Sequence, residues 1–337
     1  MTQEQISSLV LEGEFPETTR ERELVETHIS WVIVCDPFVY KIKKPVQYSF
    51  LDFSTLALRK HFCEREIELN RRLTDHIYID VQPICESQGR LIIGGNEGTI
   101  TDYAVRMYKQ DRDKQMDRLL LQNKVSDSDI KNLAEKIAFF HKRTEIIYKK
   151  DFLDIQEKFN DLEKEKKFLE ENIGVRSSDI IIHAVKISNT FLERNRELLA
   201  QRLNAGHSRD CHGDLHSRNI FLLPDPQPFD CIEFNDDIRQ IDVLNEVAFL
   251  CMDLDAFDRK DLSDLFIECY NKFFPAMMSD AERQLFVYFK SYRANIRAKV
   301  NSLRARSAAG NIEKTKSLSA VSKYLELMDG YLSSLEC

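Results

Sequence analysis

The rhythm of apolar and polar positions changes once along the chain. Up to about residue 110, apolar residues alternate with polar ones or gather in short β-branched runs, the period of strands. Leu24-Val25 lead into Thr27-His28-Ile29-Ser30. Trp31-Val32-Ile33-Val34 follows, then the turn signal Asp36-Pro37, then Phe38-Val39-Tyr40-Lys41-Ile42. This pattern predicts three antiparallel strands. Residues 1–20 read as a short helix and a loop. Residues 54–74 read as a helix with Ser54 as cap and Leu58, Phe62, Ile67 and Leu73 facing inward. Residues 77–85 and Leu91-Ile92-Ile93 predict two more strands around a Gln88-Gly89 turn, and Tyr103–Tyr108 a last one. The run Gly94-Gly95-Asn96-Glu97-Gly98 reads as a hairpin tip.

Beyond residue 110 the period becomes helical. Ser126 and Asp129 have the spacing of a capping box for a helix carrying Ile130, Leu133, Ile137 and Phe140. The charged stretch 153–171 reads as one solvated amphipathic helix, and 179–203 as one long helix. Further helices are expected over 242–256, 261–274, 280–306 and 312–335. The last carries a stripe from Leu318 to Leu335 that fits packing on its own domain better than a coiled-coil dimer. Only 209–234 is strand-like here. Ile220–Leu223 and Phe229–Ile232 flank the turn Pro224-Asp225-Pro226-Gln227, which predicts a hairpin. The expected class is α+β, with a β-rich N-lobe (antiparallel sheet plus one helix) over 1–108 and a mainly helical C-lobe over 109–337. That order is the arrangement of a bilobal protein-kinase-like fold.

Composition narrows the classes. The 337 residues are 43% hydrophobic and 31% charged, enough for a sizeable core. A net charge of −8 argues against a surface built for nucleic acid or anionic membrane. No apolar run approaches a membrane span, and no signal peptide is visible, so a cytoplasmic protein is expected. Eight scattered cysteines without a C-x-x-C pair read as reduced thiols, not as a disulfide frame or a zinc site.

The chemistry concentrates in His212-Gly213-Asp214-Leu215-His216-Ser217-Arg218-Asn219, which spells H-x-D-x-x-x-x-N, followed eleven residues later by Asp230. This is the spacing of a kinase catalytic loop and its metal-binding aspartate. Asp214 is the expected base for an attacking hydroxyl, and His212 holds the loop. Asn219 and Asp230 offer oxygen to Mg²⁺. Glu233 and Asn235 lie near Asp230, where a second metal would be touched; Glu233 would alternatively meet substrate or simply cap a loop. A phosphate-binding lysine is expected on the third strand, Lys41 with Lys43 as the alternative, and Glu66 is its best helix partner ahead of Glu64. Thr27 and Ser30 sit in a turn that would cradle phosphate or simply close a hairpin. Met107 and Tyr108 stand where the linker would meet adenine. Lys290, Arg293, Arg297 and Arg304 form a basic stripe, read equally as a substrate anion wall or a solvated face. Glycine at 213, where many protein kinases carry arginine, argues against switching by a phosphorylated activation loop. No P-loop signature and no G-x-G-x-x-G between the first strands is present.

The catalytic loop through Ile220 resembles that of the aminoglycoside phosphotransferase and choline kinase-like superfamily. Several runs resemble a bacterial branch of it, of unknown substrate, some of whose members are fused to a C-terminal P-loop kinase. Those runs are Thr27–Trp31, Lys41–Val46, Leu51–Leu56, Phe229–Asn235, Ala248–Leu254 and Tyr292–Val300. Glu246 departs from that pattern, which usually has aspartate. The resemblance implies a kinase-like fold and ATP- and Mg²⁺-dependent phosphorylation of a small-molecule hydroxyl. A nucleotide-binding regulator, a protein acceptor and AMP transfer stay open as alternatives. Neither the acceptor nor the oligomeric state follows from the sequence.

Overall fold

A computed structural model describes residues 1–19 and 21–335. In chain order the helices are α1 Gln3–Glu12, α2 Leu56–Asn70, α3 Met116–Leu121, α4 Asp127–Arg143, α5 Asp154–Asn160, α6 Lys166–Ile173, α7 Val175–Arg194, α8 Arg196–Asn204, α9 Asp236–Arg239, α10 Val243–Ala256, α11 Lys260–Phe273, α12 Asp280–Ser307 and α13 Asn311–Ser333. The strands are β1 Glu23–Glu26, β2 Ser30–Val34, β3 Phe38–Lys43, β4 Gln47–Tyr48, β5 Leu51–Asp52, β6 Tyr78–Ser87, β7 Arg90–Ile93, β8 Thr99–Tyr108, β9 Ser208–Asp210, β10 Ile220–Phe221, β11 Gln227–Pro228 and β12 Gln240–Asp242.

The chain forms two compact units. The first comprises Met1–Leu119 and Arg218–Arg239; the second comprises Leu120–Ser217 and the chain from Gln240 on. Residues 109–119 and 218–239, grouped with the C-lobe in the sequence reading, therefore lie in the first unit. The reason is apolar. Phe221, Leu223 and Phe229 of the β10–β11 hairpin pack with Val39, Val81, Val105 and Met107 of the sheet.

The sheet of the first unit is antiparallel and runs in the order β1-β2-β3-β8-β6-β7. Alternation along each strand sends side chains to opposite faces. On one face Trp31, Ile33, Tyr40, Ile42 and Ala104 pack against Ile6 and Leu9 of α1. On the other, Val105 and Met107 meet Cys63 and Ile67 of α2. Helix α2 starts one residue later than expected. Thr55, not Ser54, accepts from the Leu58 amide, while Ser54 donates to Asp52. The inward face of α2 carries Arg59, Glu66 and Asn70 beside its apolar residues. Leu58 and Phe62, expected inside, are only half-buried.

In the second unit the Ser126–Asp129 capping box forms as expected. Two expected helices are broken. The stretch 153–171 divides into α5, a 3-10 segment and α6, with Glu165 turned inward to accept from Ser302 Oγ at 2.6 Å. The stretch 179–203 is divided at Asn195, whose side chain donates to the Phe191 carbonyl at 2.9 Å, the local competition for backbone that ends helices. Helix α10 is buried at every position but Asp255, the signature of a central helix rather than a surface one. It packs against α11 and α12, and α13 lies along α12. Val321, Leu325, Met328 and Leu332 of the last stripe are thus used inside the unit. Among the described residues the seven cysteines are buried and none is in a disulfide; Cys337 lies outside them. No described helix is long and apolar enough to cross a membrane.

The centrality of α10 sets a stability test. Leu250 is fully buried, whereas Ile182 of α7 is 48% exposed. Leu250→Ala is expected to lower the unfolding free energy by about 2–5 kcal/mol and Ile182→Ala by about 0.5 kcal/mol or less. Urea denaturation followed by circular dichroism checks this, and equal costs would contradict the packing described.

Candidate active site

Strand alternation places Lys41 and Lys43 on the α2 face of β3. Both ammonium groups converge on one carboxylate, that of Glu66 in the middle of α2. Lys41 Nζ donates to Glu66 Oε1 at 2.8 Å and Lys43 Nζ to Oε2 at 2.7 Å. Each lysine then reaches a second acid. Lys41 donates to Asp230 Oδ1 at 2.6 Å, and Lys43 donates to Glu233 Oε1. The result is a largely buried ladder of alternating charge from the Asp230–Glu233 segment to strand to helix. Burial pushes the Glu66 carboxyl up, but the two ammonium groups outweigh it and lower it to about 2. Burial likewise pushes Lys41 down, and Asp230, Glu66 and Glu233 more than reverse it. Glu233 remains raised, because burial and the Glu66 charge exceed what Lys43 returns. The two lysines differ in access: the Lys41 side chain is 13% exposed, that of Lys43 only 1%.

The segment bearing Asp230 is held on several sides. Asn219 accepts from the Phe229 amide at 2.9 Å through its carbonyl, closing the β10–β11 hairpin beside Asp230. Asp230 adopts a left-handed backbone, φ 63°, which an aspartate tolerates better than most residues. Its amide donates to Tyr78 Oη at 3.1 Å, and the next amide, of Cys231, donates to Asn70 Oδ1 at 2.9 Å. Its carboxylate is 44% exposed.

A cavity of about 250 Å³ opens in this unit. Val25, Val32, Val39 and Met107 line one part of it, Ile77, Phe221 and Phe229 another, and Lys41 and Asp230 supply charge. Thr27 and Tyr108 also line it. A small number of polar groups in a mostly apolar hollow is the make-up of a small-ligand site.

The loop carrying Asp214 lies in the second unit and rests on α10. Glu246 Oε1 accepts from the His212 amide at 2.7 Å and Oε2 from the Gly213 amide at 3.1 Å. Asp253, seven residues on, accepts from the Ser217 amide at 2.9 Å and from Ser217 Oγ at 2.5 Å. Seven residues of helix set Glu246 and Asp253 about 10.5 Å apart along its axis on one face, and their carboxylates take up amides near the two ends of the loop. Glu246 feels burial most, then Arg293 and the two amides against it, and stands at about 7. Gly213 takes φ 88°, open to glycine at no steric cost, which gives the residue a reason beyond the lost arginine. The Asp214 amide donates to His212 Nδ1 at 3.2 Å, and His216 Nε2 lies 3.3 Å from Asp214 Oδ2. Burial raises the Asp214 carboxyl, but His216, Arg297 and His212 together hold it well below the carboxylate range.

Lys41, Thr27, Met107, Tyr108 and Asp230 meet at one cavity, and Lys41 pairs with Glu66. Ser30 does not line the cavity. Its amide donates to Thr27 Oγ1 at 2.9 Å, and its carbonyl accepts from the Thr27 amide at 2.9 Å and from Thr27 Oγ1 at 3.0 Å. Those groups close a hairpin, and the Ser30 hydroxyl itself is buried without a hydrogen-bond partner. Glu233 and Arg293, expected at the substrate, are engaged internally. Glu233 is 3% exposed against Lys43. Arg293 Nε donates to Asn245 Oδ1 at 2.7 Å, and Nη1 to the Gly213 carbonyl at 3.4 Å. Asn235 is likewise spent, donating to the Phe50 carbonyl at 3.0 Å. His216 and Asp253 were not singled out by sequence. Their signal was position, two residues after Asp214 and seven after Glu246. His141, Cys211 and Glu246 bring ligand-type atoms within 4.8 Å of one another. In the structure Glu246 is taken up by the loop amides, His141 Nδ1 by Tyr270 Oη at 2.7 Å, and Cys211 by the Ile241 carbonyl at 3.6 Å.

No family model matches the chain. Uncharacterised proteins of Mycobacterium tuberculosis and Mycobacterium bovis are 31% identical over 291 residues, 83% of this chain and 54% of theirs. The chain thus spans about half the length of the curated relatives it matches. Among solved structures, an aminoglycoside phosphotransferase from Alicyclobacillus acidocaldarius aligns over 100% of this chain and 95% of its own, at 12% identity and a TM-score of 0.51. An ethanolamine kinase of Plasmodium vivax aligns over 90% of this chain and 81% of its own, at 12% identity and a TM-score of 0.48. The antiparallel sheet with its one long helix, the helical second unit and the first of these alignments agree: the chain has a kinase-like fold, that of the aminoglycoside phosphotransferase it aligns with.

Proposed function

We propose that the protein is an ATP- and Mg²⁺-dependent phosphotransferase that moves the γ-phosphoryl group of ATP to a hydroxyl of a small molecule. The observation that carries this reading is Lys41, which lines the cavity while Glu66 and Asp230 hold its ammonium group. The apolar walls suit a purine, and Lys41 suits the α- and β-phosphates. Its more buried neighbour Lys43 serves the frame. Asp230 and Asn219 are hard oxygen donors on one hairpin, and the exposed Asp230 carboxylate fits a divalent cation. When bound, Mg²⁺ would neutralise charge on the phosphates. Asp214, kept ionised by His216, would take the proton of the acceptor hydroxyl as its oxygen bonds to phosphorus and the bond to the ADP oxygen breaks. Glu246 and Asp253 keep that base in place through the loop backbone.

The reading separates the two lysines. Lys41→Met is expected to weaken MgATP binding about tenfold or more and to cost less stability than Lys43→Met, since Glu66 keeps Lys43 and Asp230 is half open to water. Lys43→Met is expected to cost about 3–5 kcal/mol of stability by stranding buried Glu233, and adding Glu233→Gln is expected to restore most of it. Nucleotide titration and urea melts on the same variants check both, and the reverse pattern would exchange the two roles.

The activity test is ATP turnover with Mg²⁺ against a pooled set of metabolite alcohols and aminoglycosides, with products weighed by mass spectrometry. Addition of one phosphate, reduced about 10²–10⁴-fold in Asp214→Ala, is expected. Addition of AMP, or tight ATP binding with no turnover of any acceptor, would contradict the reading.

A further inference from the structure

Helix α12 presents a row of cations at helical spacing, and two of the first three are plainly used. Lys290 Nζ donates to Asp255 at 2.7 Å. Arg293 is taken up by Asn245 and the Gly213 carbonyl. Arg297, one turn further on the same face, is 8% exposed. Among the described residues it makes no ion pair, and its Nε donates no hydrogen bond. The guanidinium lies 5.4 Å over the ring of Tyr324. Its acidic neighbours are Asp253 and Asp214, and the first is already engaged by Ser217.

Among the described residues, other buried cations meet an acid directly, except Arg293, which is held by amide and carbonyl oxygens. Arg59 meets Asp102 at 2.8 Å, Arg202 meets Asp242 and Glu282 at 2.7 Å each, and Arg239 meets Asp236 at 2.8 Å. A nearly buried charge without a direct counter-ion costs several kcal/mol. The fold bears that cost on the helix that also contacts the Asp214 loop through Arg293. The planar fork of a guanidinium matches the two oxygens of a carboxylate or a phosphate. The Asp214 side chain is 36% exposed, so the loop is open to solvent at the base itself.

We propose that Arg297 forms an oxyanion subsite in the second unit, and that the hydroxyl acceptor therefore carries a carboxylate or a phosphate group. This deepens the phosphotransferase reading and rests on it for the word acceptor; the anion site itself does not. It favours hydroxy acids and sugar phosphates over cationic alcohols. The group reaching Arg297 supplies a direct counter-ion, which the nearby Asp214 and Asp253 do not.

The test titrates the full chain with inorganic phosphate, D-glycerate and choline, and separately with MgATP. The variants are Arg297→Gln, Arg297→Lys and Lys41→Met. Wild type is expected to bind at least one of the two anions in the millimolar range and not choline. Arg297→Gln should weaken that anion about tenfold or more, the loss of a charge-assisted pair, and Arg297→Lys should recover part of it. Lys41→Met should leave it unchanged, which separates the subsite from phosphate bound in the nucleotide cavity. Phosphate binding alone would point to phosphorylated acceptors, and glycerate binding alone to hydroxy acids. Absence of anion binding in wild type, or equal binding in Arg297→Gln and wild type, would overturn the proposal. A melting curve of Arg297→Gln like that of wild type keeps the comparison valid, and if that variant unfolds, Arg297→Lys gives the decision through its altered anion affinity. Failure of MgATP to bind wild type would instead sink the phosphotransferase reading and leave the anion site standing.

Discussion

One carboxylate organises the first unit. Glu66 is fully buried, and ionising a carboxyl there would cost several kcal/mol without compensation. Two ammonium groups supply it, one on each oxygen. Because strand alternation sends Lys41 and Lys43 to the same face, a single helix residue ties both to α2. Because each lysine has a second acid, the tie extends to Asp230 and Glu233 on the segment after β11. Position along the ladder then divides the labour. The inner pair, Lys43 and Glu233, is shut from water and holds the frame. The outer pair, Lys41 and Asp230, borders the cavity, where phosphate and a divalent cation would replace their mutual contact.

The second unit solves a different problem with the same means. For the proposed chemistry a loop would hold the Asp214 carboxylate partly open to solvent, and its side chain is 36% exposed. Helix α10 is buried almost throughout and still carries two acids, Glu246 and Asp253, on the face toward that loop. They accept amide hydrogens near its start and its end. Glutamate at 246 is longer than the aspartate of the resembling pattern by one methylene. The carboxylate nevertheless reaches both amides, so the departure is absorbed locally.

Much of this was legible in the sequence where periodicity and spacing coincide. The alternation around Lys41, the existence of a hairpin after Ile220 (its second strand expected at Phe229–Ile232 but formed by Gln227–Pro228) and the H-x-D-x-x-x-x-N spacing all rest on local geometry. Other features were hidden because they depend on partners far along the chain. Lys41 and Lys43 share a face, so only the burial of the second distinguishes them. Glu64 and Glu66 differ by two positions on α2, and the structure pairs Glu64 with exposed Lys60 at 3.7 Å, a contact of little energetic weight. The inward face of α2 is partly charged, which blurred its apolar stripe and misplaced Leu58 and Phe62. Asn195 read as an ordinary helical residue until its side chain was seen on the Phe191 carbonyl. Arg293 and Arg297 looked alike on their helix; neither meets an acid directly, and only the contacts of each show that Arg293 is held by Asn245 and the Gly213 carbonyl while Arg297 Nε donates to nothing.

The account turns on Glu66 as the residue that aims Lys41 at phosphate. Its most direct test is the MgATP dissociation constant of Glu66→Gln beside that of wild type, with both shown folded by circular dichroism. The account predicts that the neutral amide releases Lys41 and weakens binding about tenfold or more. An unchanged dissociation constant in a folded Glu66→Gln protein would contradict it.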